Sequence, residues 1–359
     1  MINQKNKMLA YPIICKSTCI KSISRWIPKH INWVVIITDH AVKKRYVAPL
    51  KAILKKNNLN PLIISFSPGE KSKQIHTKCL IETRMLSHHC DRNTLIIALG
   101  GGVVSDLAGF VASTYLRGIP YINIPTTLLA MVDSSVGGKT GINTEQGKNL
   151  IGSFWQPHAV LIDPHYLKSL SKKQLINGLI ESVKMFITSD SKSFDYFEKN
   201  IEKILSYDEK SIQSIIQRSI KIKSMIVKED EKDTACRAIL NLGHTLGHAL
   251  ESLSHYTLLH GYAVGYGLLV EAKISQLLGL LHDESYLRIE SLLKKMNIHK
   301  SYLKQFNFNQ LIKKMMMDKK SKKGKTHYVL LKEIGLVYQV KNRFAHPVDL
   351  TLIKQAYLG

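Results

Sequence analysis

Two histidines four residues apart, His244 and His248, lie in the run Asn241-Leu-Gly-His-Thr-Leu-Gly-His248, and a third, His260, follows just before Gly261. On a helix that spacing puts both imidazoles on one face, which suits two metal ligands. The protease pattern HExxH is absent, because Thr245 stands where its glutamate would be. With 15 histidines in the chain, unliganded helix histidines are the competing reading. Glu181 bears on that choice. It sits in Leu175–Lys184, a stretch otherwise largely apolar, where a carboxylate needs a cation. Lys184, three residues on and on the same face, can supply one as an ion pair. The alternative is a metal, since two imidazoles and a carboxylate with an open position make a catalytic zinc set. Lys223 and Arg237, on neighbouring helical stretches, add donors for an anionic substrate.

A second constellation lies upstream, where Leu95 to Leu99 runs directly into Gly100, Gly101 and Gly102, and Val103 to Ala112 has a helical pattern. A buried strand, a glycine turn and a helix N-terminus let backbone N–H groups reach a pyrophosphate unobstructed. The usual GxGxxG fingerprint is broken by Ser105. Gly138-Lys-Thr140 is not a P-loop either, because Asp133 occupies the position of its first glycine. Tight turns in an α/β domain are the competing reading of these glycines.

The elements that must hold these groups change character along the chain. Short apolar runs at about 33–38, 62–66, 94–99, 121–124 and 159–162 alternate with helical stretches, which predicts a mainly parallel, doubly wound first domain over 1–164. Asp39 ends the first run, at the edge where such a sheet meets its ligand. It can hold a ribose hydroxyl or simply cap the helix after it. Pro68 to Lys73 reads as a turn into a helix ending near Ser87, with His88, His89 and Cys90 as its solvated end. Beyond Pro164 the apolar period becomes 3.6 over 172–189, 191–206, 209–229, 238–256, 261–281 and 283–296, which predicts a helical second domain over 165–359. A hairpin of His327–Leu331 and Leu336–Val340 interrupts it.

At 359 residues the chain can bury two cores. Its 51 Lys and Arg against 27 Asp and Glu give a net charge of +24, which raises nucleic acid as a partner. The lysines are scattered, the one dense run being Lys313 to Lys325, and no aromatic-interleaved basic motif appears, so nucleic-acid binding is not the expected function. Five cysteines without CxxC spacing argue against a disulfide framework or a cysteine metal site. No signal-peptide pattern opens the chain, and no apolar run reaches the roughly 18–20 residues that span a bilayer, so a cytoplasmic protein is expected.

Taken together, the motifs resemble the 3-dehydroquinate synthases of the shikimate pathway over nearly the whole chain. They are Gly-Gly-Gly-Val-Val-x-Asp106, Tyr115-Leu-Arg-Gly118, Pro125 to Thr140, Gly147-Lys-Asn-Leu-Ile-Gly152, Asn241 to His248 and Asp318-Lys-Lys320. The resemblance implies a Rossmann-like α/β N-terminal domain and an α-helical C-terminal domain, with NAD and a divalent metal, zinc or else cobalt, in the cleft between them. It implies Glu181, His244 and His260 as metal ligands. NAD would lie against Asp39, Glu70, Lys73, Gly101, Gly102, Val103, Asp106, Thr126, Thr127, Lys139 and Lys148. The sugar-phosphate substrate would meet Arg117, Asp133, Lys139, Asn149, Lys184, Lys223, Arg237, His248 and Lys319. Arg117 would act across a homodimer interface.

The implied reaction is a lyase reaction, cyclisation of 3-deoxy-D-arabino-heptulosonate 7-phosphate to 3-dehydroquinate with release of phosphate and catalytic use of NAD. A related sugar-phosphate cyclase, a metal-dependent polyol dehydrogenase and a basic nucleic-acid-binding protein are the alternatives. The chain departs from the family pattern where His-Gly-Glu is His260-Gly261-Tyr262, where Ala-Glu-Val-Ile-Lys is Ile180-Glu181-Ser-Val-Lys184, where Gly-Leu-Arg is Ala235-Cys236-Arg237, and at Ser105, which stands for a small glycine. Tyr262 is expected to weaken support around the metal and Ser105 to tighten the phosphate turn, lowering efficiency without changing identity.

Overall fold

A computed structural model of the chain describes residues 9–316 and 326–359. Contacts divide it into two compact units, Met1–Leu170 and Ser171–Gly359. The expected division fell at 164/165. The difference is the short helix Pro164–Ser169, which stays with the first unit because Arg45 donates to the Ser169 carbonyl at 3.2 Å and Tyr46 packs edge-on against Tyr166.

In the first unit the strands are Ile13–Cys15 (β1), Trp33–Asp39 (β2), Leu62–Phe66 (β3), Thr94–Gly100 (β4), Tyr121–Pro125 (β5), Lys139–Thr144 (β6), Gly147–Phe154 (β7) and Ala159–Ile162 (β8). Six of them form one parallel sheet in the order β1-β8-β5-β4-β2-β3. All five anticipated strands are in it. The short β1 was not anticipated. Val35, Ile37, Ile96 and Ala98 pack on one face under the helices Ile75–Ser87 and Gly102–Thr114. Val34, Ile36, Leu95, Ile97 and Leu99 pack on the other, with Cys19–Trp26 and Ala48–Lys55. This double burial explains the unbroken apolar runs: each such side chain contributes roughly 1.5–3 kcal/mol when removed from water. Cys90 does not belong to a solvated helix end. It is buried in the core, and its carbonyl accepts the Tyr115 hydroxyl at 2.7 Å.

The second unit is built on helices Lys172–Ser189, Ser191–Leu205, Glu209–Glu229, His244–Leu253, His260–Leu277, Asp283–Lys295, Phe308–Met316 and Leu350–Leu358. Ser171, Asp190 and Asp208 cap the first three by accepting backbone N–H groups at 3.3, 3.2 and 2.8 Å. The helix expected over 238–256 begins only at His244, because Gly243 takes φ +78° and the residues before it, Cys236–Asn241, form a 3-10 segment. The single hairpin expected near the end is instead two pairs. His327–Val329 (β9) pairs with Ala345–Pro347 (β12), and Leu331–Glu333 (β10) pairs with Leu336–Val337 (β11). Among the described residues no helix is long and apolar enough to cross a membrane.

Candidate active site

Three crossings in the second unit bring the metal-ligand candidates together. The His260–Leu277 helix is apolar nearly all round and buried, as such a helix must be. It meets Lys172–Ser189 at Gly261, whose N–H donates to Asn177 Oδ1 at 2.7 Å. A Cβ on Gly261 would lie 2.0 Å from the Asn177 carbonyl oxygen, so no other residue fits without moving a helix. Glu181 is one turn beyond Asn177 and His260 is next to Gly261, so this contact sets their separation. The same central helix meets the turn before His244 at Gly267, where a Cβ would come within 1.9 Å of the Gly243 oxygen, and runs past Gly247 at Ala263 and Val264.

The result is a convergence of donor atoms. Glu181 Oε1 lies 3.4 Å from His260 Nε2 and 3.8 Å from His244 Nε2. Ligand atoms of all three residues fall within 4.8 Å of one another. Each imidazole's other nitrogen is engaged. His244 Nδ1 faces the Leu242 carbonyl at 3.1 Å, and His260 Nδ1 faces Glu251 Oε2 at 3.1 Å. The buried Glu271 steadies the first arrangement by accepting the Gly243 N–H at 2.8 Å. Lys184 is buried and ion-paired with Glu181 Oε2, so the ion pair and the donor cluster coexist on opposite carboxylate oxygens. Burial alone would lower the His260 pKa, but the carboxylates of Glu181 and Glu251 on its two sides reverse this and push it to about 10. The position thus favours positive charge, and one carboxylate with two imidazoles suits a divalent ion of zinc type.

His248 belongs to a second group with Glu251 and His260 rather than to the first. Lys223 and Arg237 are buried, and Arg237 Nη1 donates to the Glu231 carbonyl at 2.9 Å. The loop carrying Arg237 is wound around Asp230, whose carboxylate accepts the N–H groups of Thr234, Ala235 and Arg237 at 2.8, 2.7 and 3.0 Å. Lys319, with the motif Asp318-Lys-Lys320 and most of the lysine run after Lys313, lies outside the described residues.

The first unit gathers the candidates for cofactor binding at the C-terminal edge of its sheet. Gly101 precedes the Gly102–Thr114 helix and offers no side-chain cap, which leaves the first-turn N–H groups, including those of Gly102 and Val103, aimed at that edge. A Cβ at Gly101 would approach Thr127 Cγ2 to 3.1 Å, and Thr126 N donates to the Gly100 carbonyl at 2.9 Å, so Thr126 and Thr127 wall the turn. Ser105 sits one turn into this helix and donates its hydroxyl to the Gly102 carbonyl at 3.0 Å. At the end of β2, Asp39 Oδ1 caps the next helix, accepting from Ala41 and Val42 N–H at 2.9 Å each, so the capping reading holds whatever Oδ2 does.

Around this edge the residues interlock. Buried Lys73 pairs with Asp106 Oδ2 at 2.5 Å and also donates to Asn149 Oδ1. Asn143 donates to Glu70 Oε1 at 2.7 Å and accepts the Asn149 N–H at 3.0 Å. Burial pushes the Asp106 carboxyl up, and Lys73 offsets this only in part. Lys139, Lys148 and Asn149 lie on the antiparallel hairpin of β6 and β7, an element the sequence reading did not foresee. Asn143 was also missed, because the hairpin that aims its amide at Glu70 and Asn149 was itself not foreseen. Asp133 falls in the short helical turn Ala130–Ser134 that follows the Thr126–Thr127 wall. Arg117 follows the Gly102–Thr114 helix. It is exposed, and the turn Leu116, Arg117, Gly118 has φ of 47°, 69° and 118° in succession, braced by Trp155, whose ring a Gly118 Cβ would meet at 2.6 Å.

Residues 63–177 match the family model described as 3-dehydroquinate synthase N-terminal, and 178–321 match 3-dehydroquinate synthase C-terminal. The chain belongs to the 3-dehydroquinate synthase family. It is 43% identical over 301 residues to the 3-dehydroquinate synthase of Thermodesulfovibrio yellowstonii, covering 84% of each chain. It is 41% identical over 329 residues to that of Buchnera aphidicola subsp. Baizongia pistaciae, covering 91% of this chain and 93% of the relative. Among solved structures, 2-deoxy-scyllo-inosose synthase complexed with carbaglucose-6-phosphate, NAD+ and Co2+ superimposes with a TM-score of 0.88 at 26% identity, over 97% of this chain and 95% of that one. A 2-epi-5-epi-valiolone synthase with NAD+ and Zn2+ bound, at 23% identity and a TM-score of 0.87, shares the fold. So does a probable glycerol dehydrogenase, at 12% identity and a TM-score of 0.69.

Proposed function

We propose that the chain cyclises 3-deoxy-D-arabino-heptulosonate 7-phosphate to 3-dehydroquinate with release of phosphate, in the shikimate route to aromatic amino acids, with NAD in catalytic amounts and one divalent metal. The observation that carries this reading is the convergence of Glu181 Oε1 with the Nε2 atoms of His244 and His260, in a chain matched by both halves of the family model. When bound, the metal supplies Lewis acidity at a substrate oxygen and NAD a hydride acceptor that is restored by the end of turnover. Lys184, locked against Glu181, holds positive charge beside the metal position and lowers the cost of ionising a substrate hydroxyl there. Lys223 and Arg237 bind the substrate's anionic groups, for which buried cations with charge-assisted donors are suited. The first-turn N–H groups at Gly102 and Val103 take the cofactor pyrophosphate, the Lys73–Asp106 pair orients it, and Asp39 Oδ2 takes a ribose hydroxyl.

The enzyme works in the cytoplasm as a homodimer, with Arg117 reaching the partner's substrate phosphate. Support comes from the exposure of Arg117 in a turn of successive left-handed residues, a strained conformation of the kind that concentrates at functional sites. All five cysteines are free thiols, consistent with a reducing compartment.

The test is to incubate purified protein with zinc, the heptulosonate phosphate and NAD well below substrate, and to follow phosphate and absorbance at the NADH band. Expected are many phosphates per NAD, no lasting NADH, and loss of turnover in chelator with recovery on zinc. One NADH per product would replace this reading with that of a polyol dehydrogenase. Turnover of a hexose phosphate instead would point to a cyclase of the 2-deoxy-scyllo-inosose synthase kind.

A further inference from the structure

We infer that Glu251 is a positioning residue that sets the tautomer of His260 and supplies the carboxylate behind it. The inference rests on the metal assignment above. Glu251 is 2% exposed, and its Oε2 lies 3.1 Å from His260 Nδ1. The form of a histidine that binds a metal is the neutral imidazole, which carries one N–H. If it stood on Nε2, the lone pair of Nδ1 would face a carboxylate oxygen at hydrogen-bond distance, two acceptors with no proton between them. With the N–H on Nδ1, it donates to Glu251, and the Nε2 lone pair points at the cluster around Glu181 Oε1, 3.4 Å away. The Leu242 carbonyl does the same for His244 at 3.1 Å, but as a neutral backbone group. The group behind His260 is an anion.

The charge matters because Lys184 already draws on Glu181. A dication placed beside that lysine meets one compensated carboxylate and two neutral rings. Glu251 adds the second negative charge through the imidazole, making His260 the stronger donor. It also accounts for Tyr262: the carboxylate supporting His260 comes from the His244–Leu253 helix, nine residues upstream, and does not depend on position 262. A competing role is direct ligation, since Glu251 also groups with His248 and His260.

The experiment titrates Co2+ into metal-free full-length wild type, Glu251→Gln and Glu251→Ala, following the visible cobalt bands and competing with a chromogenic chelator. One Co2+ per chain is expected in all three. Its dissociation constant should rise about 10- to 100-fold, more for alanine than for glutamine, which keeps an acceptor for Nδ1–H and loses only the charge. The cobalt bands should shift, and NAD affinity should stay at the wild-type value. Wild-type cobalt affinity and bands in Glu251→Gln would overturn the inference while leaving the metal assignment standing, and that variant decides the matter if Glu251→Ala fails to fold. Two Co2+ per wild-type chain, one of them lost in Glu251→Ala, would make Glu251 a ligand and overturn it too. No Co2+ uptake by the wild type would bring down both this inference and the metal assignment.

Discussion

Replacing Gly261 by alanine is expected to damage metal binding, because the added methyl group would strike the backbone that carries Glu181. The new Cβ would stand 2.0 Å from the Asn177 oxygen, where ordinary contact begins at 3.4 Å, so Gly261 must retreat by roughly 1.4 Å, the difference between those distances. His260 is attached to it, and Glu181 rides on the helix it retreats from. Metal–ligand distances tolerate only about 0.2 Å, so one ligand of three is lost or the helices are strained to keep it. Overpacking costs about 1–3 kcal/mol, and disturbing the 2.7 Å bond from Gly261 N–H to Asn177 Oδ1 adds about 1 kcal/mol. The metal-free variant should therefore be about 2–4 kcal/mol less stable in urea unfolding, with its zinc affinity falling by at least about tenfold. A variant that unfolds with the wild type and binds zinc as tightly would refute the claim that this backbone contact sets the ligand spacing.

Lys73→Met should raise the dissociation constant for NAD about tenfold or more, equivalent to about 1.4 kcal/mol, because Asp106 and Asn149 lose their shared cation; a titration giving the wild-type constant would remove Lys73 from the cofactor site. Asp230→Ala leaves the N–H groups of Thr234, Ala235 and Arg237 without their acceptor and should cost about 1–3 kcal/mol. Burial alone would raise the Asp230 pKa, but these bonds more than reverse it and hold it at about 2. Its contribution is therefore present above the unfolded-state pKa of about 4 and lost as pH falls through about 2; a wild-type-minus-variant difference that stays constant down to pH 2 would contradict this. Mixing Arg117→Ala with His260→Ala, each inactive alone, should restore activity once subunits exchange, because one site of the mixed dimer carries neither defect. No recovery, with exchange verified, would confine Arg117 to its own chain or to no role.

Much of the first unit was legible because its code is local. A parallel strand buried on both faces must be a short apolar run, and β2, β3, β4, β5 and β8 each are. In the second unit the helices Lys172–Ser189 and Glu209–Glu229 were legible for the same reason, from their local 3.6-residue apolar period. What local pattern could not indicate was the end of a pattern overridden from elsewhere. The period over 238–256 continues through Gly243, yet the helix starts after it, because Glu271, 28 residues on, captures the Gly243 N–H in a left-handed turn. The strand at His327 looked like half of a local hairpin and found its partner at Ala345 instead.

The candidate site divides in the same way. Residue types and spacing, with the family resemblance, were enough to single out Glu181, His244, His260 and the glycine turn, because donor chemistry and the freedom of glycine are properties of single residues. Their arrangement was decided by tertiary contacts: Gly261 on Asn177 and Gly267 on Gly243 bring three helices to backbone contact, and only then do three donor atoms share one point. Glu251, Glu271 and Asn143 remained unseen because a carboxylate or amide in a sequence says nothing of what it will face. An isolated glutamate reads as surface. It becomes the support of His260 only when folding withdraws it from water and leaves it an imidazole Nδ1 3.1 Å away.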